Sequence, residues 1–501
     1  MSENEYDLII IGSGPGGYHS AIRAAQYGVK VALIEKHLLG GTCSNYGCIP
    51  TKALYSSAHL MEEVEDLAGE MGVIIDGNVT PDFKQAVKRK NRVVEDLREG
   101  INALLKRWKV TLYYGFGKIA GGSFEGGYFV EVHPSKDFSD REVERLQTKY
   151  VLIATGSEPA MIPAFNIDHK RILDSNDILR PGFDHFPKTL LIIGAGVIGC
   201  EFANIFARMG AKVTMLEYLD DMLATEDRRI RRVVETKFKA MDIEVHTSQN
   251  VLSVENSGEE IIAQTVSSKI AKEEIETAEK STYTADLCIV SIGRTKFTQG
   301  LGLDTVGIEV ENGGIKVDKE TLETSAKGIY AIGDVTGGMM LAHVASYEGD
   351  LAIRRIISAL GIKDLHSEAP DYGTVPYTIF TSPNIGGVGI SSADARKLKP
   401  RPLTGIFYYK ALGKAQCMEK TEGLLQILVD PETDLILGAS CVGEGASEII
   451  AMITICMKNN VKSKDLAHTV HSHPTISEIA LEAVEDVYGL AIHRAGRPKI
   501  D

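Results

Sequence analysis

Tyr6 to Gly17 reads YDLIIIGSGPGG, an apolar β-branched run that ends in Gly12, Gly14 and Gly17 at G-x-G-x-x-G spacing. The helical stretch YHSAIRAAQYG follows, then VKVALIEK, a second strand closed by Glu35, which lies 18 residues past Gly17. A glycine triplet alone says little. Set between a strand and a helix, with an acid at that distance, it is a dinucleotide fingerprint. Its glycines allow a tight turn and a close approach of backbone to pyrophosphate, the helix N-terminus faces the phosphates, and the acid takes a ribose hydroxyl.

The unit occurs twice. LLIIGAGVIGCEFANIFARMGAKVTMLEY, from Leu190, places Gly194, Gly196, Gly199 and Glu217 each 182 positions beyond its counterpart. Repetition at that scale predicts two bound dinucleotides, one per unit. A carboxylate at Glu217 bonds a free 2′-hydroxyl and repels a 2′-phosphate, so the second site favours NAD over NADP. The basic run Arg228, Arg229, Arg231 and Arg232 belongs to a later amphipathic helix and reads as its solvated face.

Between the units, Ser56 to Lys109 is charged and has helical periodicity, and YYGFGKIAGGSFEGGYFVEVH reads as a hairpin meander. YVLIATGSEP, Tyr150 to Pro159, is a buried strand ending in a small-residue turn that lets the chain return beneath a cofactor. After the second unit, Ser257 to Thr284 is a polar insert read as an exposed hairpin, and DLCIVSIGR is another apolar strand ending at glycine, Gly293. In GIYAIGDVTGGMMLAHVASYEGDLAIRRI a strand delivers Asp334, and a helix begins near Met340 to Ala342. That arrangement aims a carboxylate at a sugar hydroxyl and a positive helix end at an electron-rich ring. From about Asp371 the pattern becomes that of an antiparallel sheet with a flanking helix, a separate α+β domain. Near its end, Thr475 and Glu478 fit a capping box, while His473 fits a general base oriented by Glu478.

At 501 residues the chain is expected to form roughly two to four domains. A net charge of -14 argues against nucleic acid or an anionic membrane as partner. The opening MSENEYDLIIIG has no secretory pattern, and the apolar run Ile449 to Met457 is too short for a membrane span. A free protein of a reducing, cytoplasmic compartment is therefore expected. There, a close cysteine pair serves catalysis or metal more often than it staples a fold.

One such pair exists, Cys43 and Cys48, in GGTCSNYGCIPTK, Gly40 to Lys52; the other five cysteines are scattered singly. Zinc would require about four ligands, which no nearby cysteine or histidine cluster supplies. Buried structural thiols would not call for the surrounding glycines. A redox disulfide fits better, since four intervening residues can bend to bring the sulfurs together and a helix beginning near Cys48 would lower its thiolate pKa.

GGTCSNYGCIPTK, the two fingerprints, ATGS, AIGDV with LAH, and HSHPTISE stand in the order found in the FAD-dependent pyridine nucleotide-disulfide oxidoreductases. The chain resembles that family over essentially its whole length, and most of all the branch that oxidises dihydrolipoyl groups. The resemblance implies an α/β fold with two Rossmann-like dinucleotide-binding domains, for FAD and NAD, and a C-terminal α+β dimerisation domain. Residues 1–160 would form the first part of the FAD domain, 161–293 the NAD domain, 294–368 a central segment completing the FAD domain, and 369–501 the interface domain. It further implies that Cys43 exchanges with the substrate dithiol and Cys48 is the flavin-side thiolate. Lys52 would lie by the flavin and pair with Glu201. His473 and Glu478 would form the base and its orienter, contributed across a homodimer interface. Gly41, Thr42, Thr155, Gly156, Asp334, Leu341 and Ala342 would surround FAD, and Gly293 would border NAD. The implied partners are lipoyl domains of 2-oxoacid dehydrogenase complexes or the glycine cleavage H protein.

The departures from the family pattern remove no chemical group. Thr51 replaces the more usual serine, Ser44 and Tyr46 fill variable positions, and inserts near 121 to 145 and 257 to 284 are generous. Mercuric reductases carry an extra C-terminal cysteine pair, whereas this chain ends RAGRPKID; glutathione reductases have basic residues where Glu217 stands. The competing reading is an NAD(P)H-dependent reductase of another low-molecular-weight disulfide. A non-catalytic scaffold would be expected to have lost at least one of Cys43, Cys48, Lys52, His473 and Glu478.

Overall fold

The computed structural model describes residues 4–494, so most of the terminal RAGRPKID lies outside the described residues. The strand Glu5–Ile11 sits inside a seven-stranded sheet, parallel to Val31–Glu35 on one side and to Glu144–Ile153 on the other. Leu8, Ile9, Ile10 and Ile11 are all at most 3% exposed, which is why the strand reads as a continuous apolar run rather than an alternating one. Each such side chain contributes roughly 1.5–3 kcal/mol on burial, so the run fixes the strand in the sheet's interior. Ile329–Ala331 adds to the same sheet, parallel to Glu144–Ile153, and delivers Asp334 to the edge where Gly12 and Thr155 lie.

The meander is shorter than the sequence pattern suggests. Phe116–Ser123, Gly127–His133 and Glu144–Ile153 are consecutive antiparallel strands, but Thr111–Tyr114 pairs in parallel with Val31–Glu35. The expected helical stretch resolves into Cys48–Glu62, a π-helical turn at Glu63–Leu67, and the 25-residue helix Phe83–Arg107. Asp82 caps the last of these by accepting the Gln85 N–H at 2.9 Å.

The second fingerprint stands in a five-stranded parallel sheet ordered Glu244–His246, Lys212–Leu216, Thr189–Ile193, Leu287–Val290 and Ile172–Asp174. Two crossing segments, Ser157–Pro159 and Arg294–Lys296, pair antiparallel where the chain leaves and re-enters the first unit. The insert at 257–284 is more than an exposed hairpin. Gln249–Asn256, Ile261–Ser267 and Ser281–Ala285 form a three-stranded antiparallel sheet whose Val254, Ile261, Ala263 and Ala285 pack against Val290 and Leu216. Period-two alternation in Ile261, Ala263 and Thr265 carries the buried face, and the Lys- and Glu-rich composition of 269–280 masks it.

The C-terminal unit is a five-stranded antiparallel sheet, Tyr377–Ile379, Ile385–Gly389, Ile436–Val442, Leu424–Val429 and Leu403–Tyr408 in spatial order. Helices Ala446–Lys458 and Glu478–Val487 cover it, burying Ile450, Ile453, Ile479, Ala480, Ala483 and Val484 against Leu425, Ile427 and Ala439. Among the described residues no helix is long and apolar enough to cross a membrane.

Candidate active site

The two cradles repeat at the level of hydrogen bonds. Glu35 accepts the Ser13 N–H at 2.9 Å and the Ser13 hydroxyl at 2.6 Å on one oxygen, and the His37 N–H at 2.8 Å on the other. Glu217 accepts the Ala195 N–H at 2.6 Å and the Leu219 N–H at 2.8 Å. Both acids are nearly buried, so these backbone donors hold each carboxylate at the floor of its turn. Gly12 has φ +97° and Gly194 φ +99°, and a side chain at Gly17 or Gly199 would collide with the carbonyl of Gly12 or Gly194. At Gly14 and Gly196, by contrast, nothing lies within 4 Å of where a Cβ would stand. Each cradle is thus closed by packing on one side and open to a pyrophosphate on the other.

Around the first cradle, Gly41 adopts φ +57°, and a Cβ there would stand 2.7 Å from the Cα of Gly14. Asp334 accepts the Ser157 hydroxyl at 2.5 Å, and Arg294 donates to the Ser157 hydroxyl at 2.7 Å and carbonyl at 2.8 Å, with Thr42 Oγ1 at 3.5 Å. Thr155 donates to the Phe297 carbonyl at 2.8 Å, and Gly156 turns at φ +72°. Leu341 precedes helix Ala342–Ala359 without any side-chain cap, which leaves the positive helix end free for a ligand. At the second unit, Gly293 turns at φ +117° and accepts the Ala160 N–H at 3.0 Å. Sequence reading missed Arg294; its place beside Gly293 and its burial among Asp334, Asp174 and Glu158 would have required the fold to see.

The two cysteines stand at a helix junction. Cys43 lies in the short helix Gly41–Tyr46, and Cys48 opens helix Cys48–Glu62. Both are free thiols, half-buried, in the reduced form of the expected pair. A hydrogen bond to Cys48, then burial, pushes the Cys43 thiol far up, so the proton stays on Cys43. Cys48 moves the other way, to about 7. The hydrogen bond from Cys43 lowers it most, burial opposes, and the Lys52 ammonium and the helix N–H lower it further.

Lys52 is fixed in turn by Glu201, whose two oxygens accept its ammonium at 2.9 and 2.8 Å, and it stands 4.6 Å over the Phe380 ring. Glu201 is buried and also accepts the Phe380 N–H at 3.0 Å. Replacing Lys52 with methionine removes one charge that favours the Cys48 thiolate and leaves the opposing Glu201 charge uncompensated. The thiolate titration of the reduced protein, followed by ultraviolet absorbance, is expected to move up by about 1–3 pH units. An unmoved midpoint would show that Lys52 does not act on Cys48.

His473 and Glu478 are brought together. His473 Nδ1 lies 2.9 Å from Glu478 Oε1, while Glu478 Oε2 accepts the Thr475 N–H at 2.8 Å. Burial opposes ionisation of Glu478, but the Thr475 N–H and His473 outweigh it and hold the carboxyl below its ordinary value. The capping box is only half formed. Glu478 reaches back as expected, but the Thr475 hydroxyl donates to the Ser472 carbonyl at 2.8 Å, and the helix starts at Glu478 with Ser477 as its cap. The His473 side chain is 76% exposed, so its free nitrogen is open to a reactant.

The basic run lies on helix Arg228–Ala240 with Arg228, Arg229 and Arg232 exposed, as its amphipathic pattern predicts, and needs correction at one position: Arg231 is buried and pairs with Asp221 at 2.7 Å, bracing the loop after Glu217, while Arg229 donates to Gln426 of the C-terminal sheet at 3.1 Å.

Residues 6–349 match the pyridine nucleotide-disulphide oxidoreductase family, and residues 375–484 match its dimerisation domain. The chain belongs to this family. A dihydrolipoyl dehydrogenase of Bacillus subtilis is 37% identical over 98% of this chain and 99% of its own length. A leghemoglobin reductase of Glycine max is 34% identical over 97% of this chain and 88% of its own length. Among solved structures, LpdA of Mycobacterium tuberculosis superposes with a TM-score of 0.84 at 26% identity over 96% of this chain and 99% of that one. The HOCl-induced flavoprotein disulfide reductase RclA of Escherichia coli superposes at 0.82, with 27% identity over 96% of this chain and 99% of its own.

FAD and NAD are the family's cofactors, and both cradles fit such ligands through the open floors at Gly14 and Gly196 and the ribose-facing acids. Gly12, Gly14, Gly17, Glu35, Gly41 and Asp334 would hold FAD, and Gly194, Gly196, Gly199 and Glu217 would hold NAD.

Proposed function

We propose that this protein is a homodimer that oxidises protein-bound dihydrolipoyl groups with NAD+, working through Cys43 and Cys48. The observation that carries the reading is the placement of the two thiols. Cys43 and Cys48 meet at a helix junction within hydrogen-bond reach of each other, beside the half-buried Lys52–Glu201 pair, an arrangement suited to a disulfide that accepts two electrons from a dithiol.

A lipoyl thiolate attacks Cys43 Sγ of the oxidised pair, the Cys43–Cys48 bond breaks, and Cys48 departs as the thiolate that Lys52 favours. The second lipoyl sulfur then attacks the first, closing the lipoyl disulfide and releasing Cys43. Of the two protons freed, one ends on Cys43, whose thiol the hydrogen bond to Cys48 and burial push up, and the other leaves through His473 to water. Bound FAD supplies a two-electron acceptor for the reduced pair, and NAD+ the final hydride acceptor. Glu217, fixed by the Ala195 and Leu219 N–H groups, favours NAD over NADP.

Several features support a dimer in a reducing compartment. The matched dimerisation domain carries Val470 at 95% and Ile455 at 65% exposure, apolar surface that a second copy would cover. Cys200, Cys288 and Cys441 are buried free thiols, as expected of a cytoplasmic chain. The lipoyl domains of 2-oxoacid dehydrogenase complexes, or the glycine cleavage H protein, are the proposed partners.

Likeness to a disulfide reductase such as RclA favours a second reading, reduction of another disulfide by NAD(P)H. Steady-state assays of the purified protein separate the two. Rapid oxidation of dihydrolipoamide with NAD+, and slow reduction of glutathione disulfide with NADPH, are expected. The reverse pattern would overturn the lipoyl reading.

A further inference from the structure

The generous insert near 121 to 145 includes the excursion between strands Gly127–His133 and Glu144–Ile153, and it comes to rest on the first dinucleotide cradle. Most of residues 134–143 are exposed, yet Phe138 is held down, with its ring 4.7 Å from that of Tyr114. Arg141 lies over both rings, 5.6 and 5.5 Å from their centroids. Ser135 donates to the Lys36 carbonyl at 2.8 Å. Asp137 bonds His37 Nδ1, and the other nitrogen of His37 is 2.6 Å from the Tyr46 hydroxyl.

The contacts that tie this segment to the rest of the chain at Lys36, His37 and Tyr114 fall beside Glu35. The backbone N–H of His37 donates to the Glu35 carboxylate, and the Glu35 carbonyl accepts the N–H of Gly115, the residue after Tyr114. Tyr46 stands three residues past Cys43 and Asp137 lies in the insert, and His37 joins the two. Burial, then Asp137 at Tyr46 and Glu35 at Tyr114, holds both phenols protonated, with Arg98 of helix Phe83–Arg107 opposing at each. Aromatic faces edged by guanidinium groups above a ribose-facing acid suit an adenine with its diphosphate.

We propose that residues 134–143 form a clasp over the adenosine end of the first cradle, latched by the Asp137–His37–Tyr46 chain and the Phe138–Tyr114 contact, and that its opening limits how fast FAD leaves. The latch joins groups 100 and 9 residues apart in sequence, so breaking it frees the segment without touching the sheet beneath. The inference concerns retention of the dinucleotide and holds whichever disulfide is the substrate.

The test uses the flavin-loaded protein diluted into an excess of an apo-protein that takes up free FAD, with release followed by flavin fluorescence. Asp137→Asn and Phe138→Ala are expected to speed release at least tenfold. Lys136→Ala, in the same segment but outside the contacts described, should leave it unchanged. Flavin-stripped protein then separates a clasp from general loosening: Asp137→Asn should weaken ADP binding several-fold and leave FMN binding unaltered. Release within twofold of the parent in both clasp variants, or FMN binding weakened as much as ADP, would overturn the proposal. Absence of dihydrolipoamide turnover in the parent protein, with release sped in both clasp variants, would count against the functional reading alone.

Discussion

Serine at position 43 should abolish oxidation of dihydrolipoamide while leaving the flavin bound. Turnover is expected to fall by about three orders of magnitude or more, because an alcohol cannot form the mixed disulfide through which the dithiol passes its electrons. The substitution is nearly isosteric, and a serine hydroxyl still donates to Cys48. The first cause of the low Cys48 pKa therefore persists, as does the Lys52 ammonium beside it. Reduction of an artificial one-electron acceptor by NADH, which bypasses the disulfide, should survive. Lipoamide turnover within tenfold of the parent would show that Cys43 is not the exchanging sulfur. The matching change at Cys48 has a different signature, since it removes the thiolate itself and with it the titration near pH 7 in the reduced protein.

The parts of this machinery that were legible in sequence are those whose chemistry is local. A strand, three glycines, a helix and an acid lie within some thirty residues of each other, and their spacing alone implies the turn. Cys43, Cys48 and Lys52 lie within ten residues, as do His473 and Glu478. The Glu35 and Glu217 hydrogen bonds to Ser13, His37, Ala195 and Leu219 were implied by the repeat but not visible in it, because no periodicity encodes which backbone N–H a carboxylate meets. Arg294 was missed because its partners Ser157 and Thr42 are 137 and 252 residues away. Arg231 was misread for a related reason: Asp221 pairs with it from a neighbouring loop, and helical amphipathicity counts charge without counting partners. Tyr113 and Tyr114, the end of strand Thr111–Tyr114, fall in the stretch read as the meander because alternation identifies a strand and is silent on its neighbour. The hydrogen bond from the Thr475 hydroxyl to Ser472 shows the limit of a capping signature, which names two reciprocal bonds where only one forms.

His473→Gln should lower dihydrolipoamide oxidation by about 10²–10⁴-fold, the usual worth of a positioned general base, with NADH-linked reduction of artificial acceptors intact. Glutamine keeps a hydrogen bond to Glu478 but cannot take the thiol proton. Glu478→Gln should cost less. The Glu478 carboxyl is held below its ordinary value by the Thr475 N–H and His473 against burial, and one of its oxygens fixes His473 Nδ1 at 2.9 Å. Removing that charge loosens the hold on the imidazole, and kcat/KM for dihydrolipoamide should fall by about tenfold. An unchanged kcat/KM would mean that Glu478 only orders the turn through the Thr475 N–H. The two large-effect variants also test whether the base crosses the dimer interface. In a hybrid of one Cys43→Ser subunit and one His473→Gln subunit, a base supplied in trans leaves one site with both groups and the other with neither. Such a hybrid regains turnover that neither parent dimer has. A base supplied in cis leaves each site lacking one group, and the hybrid stays inactive.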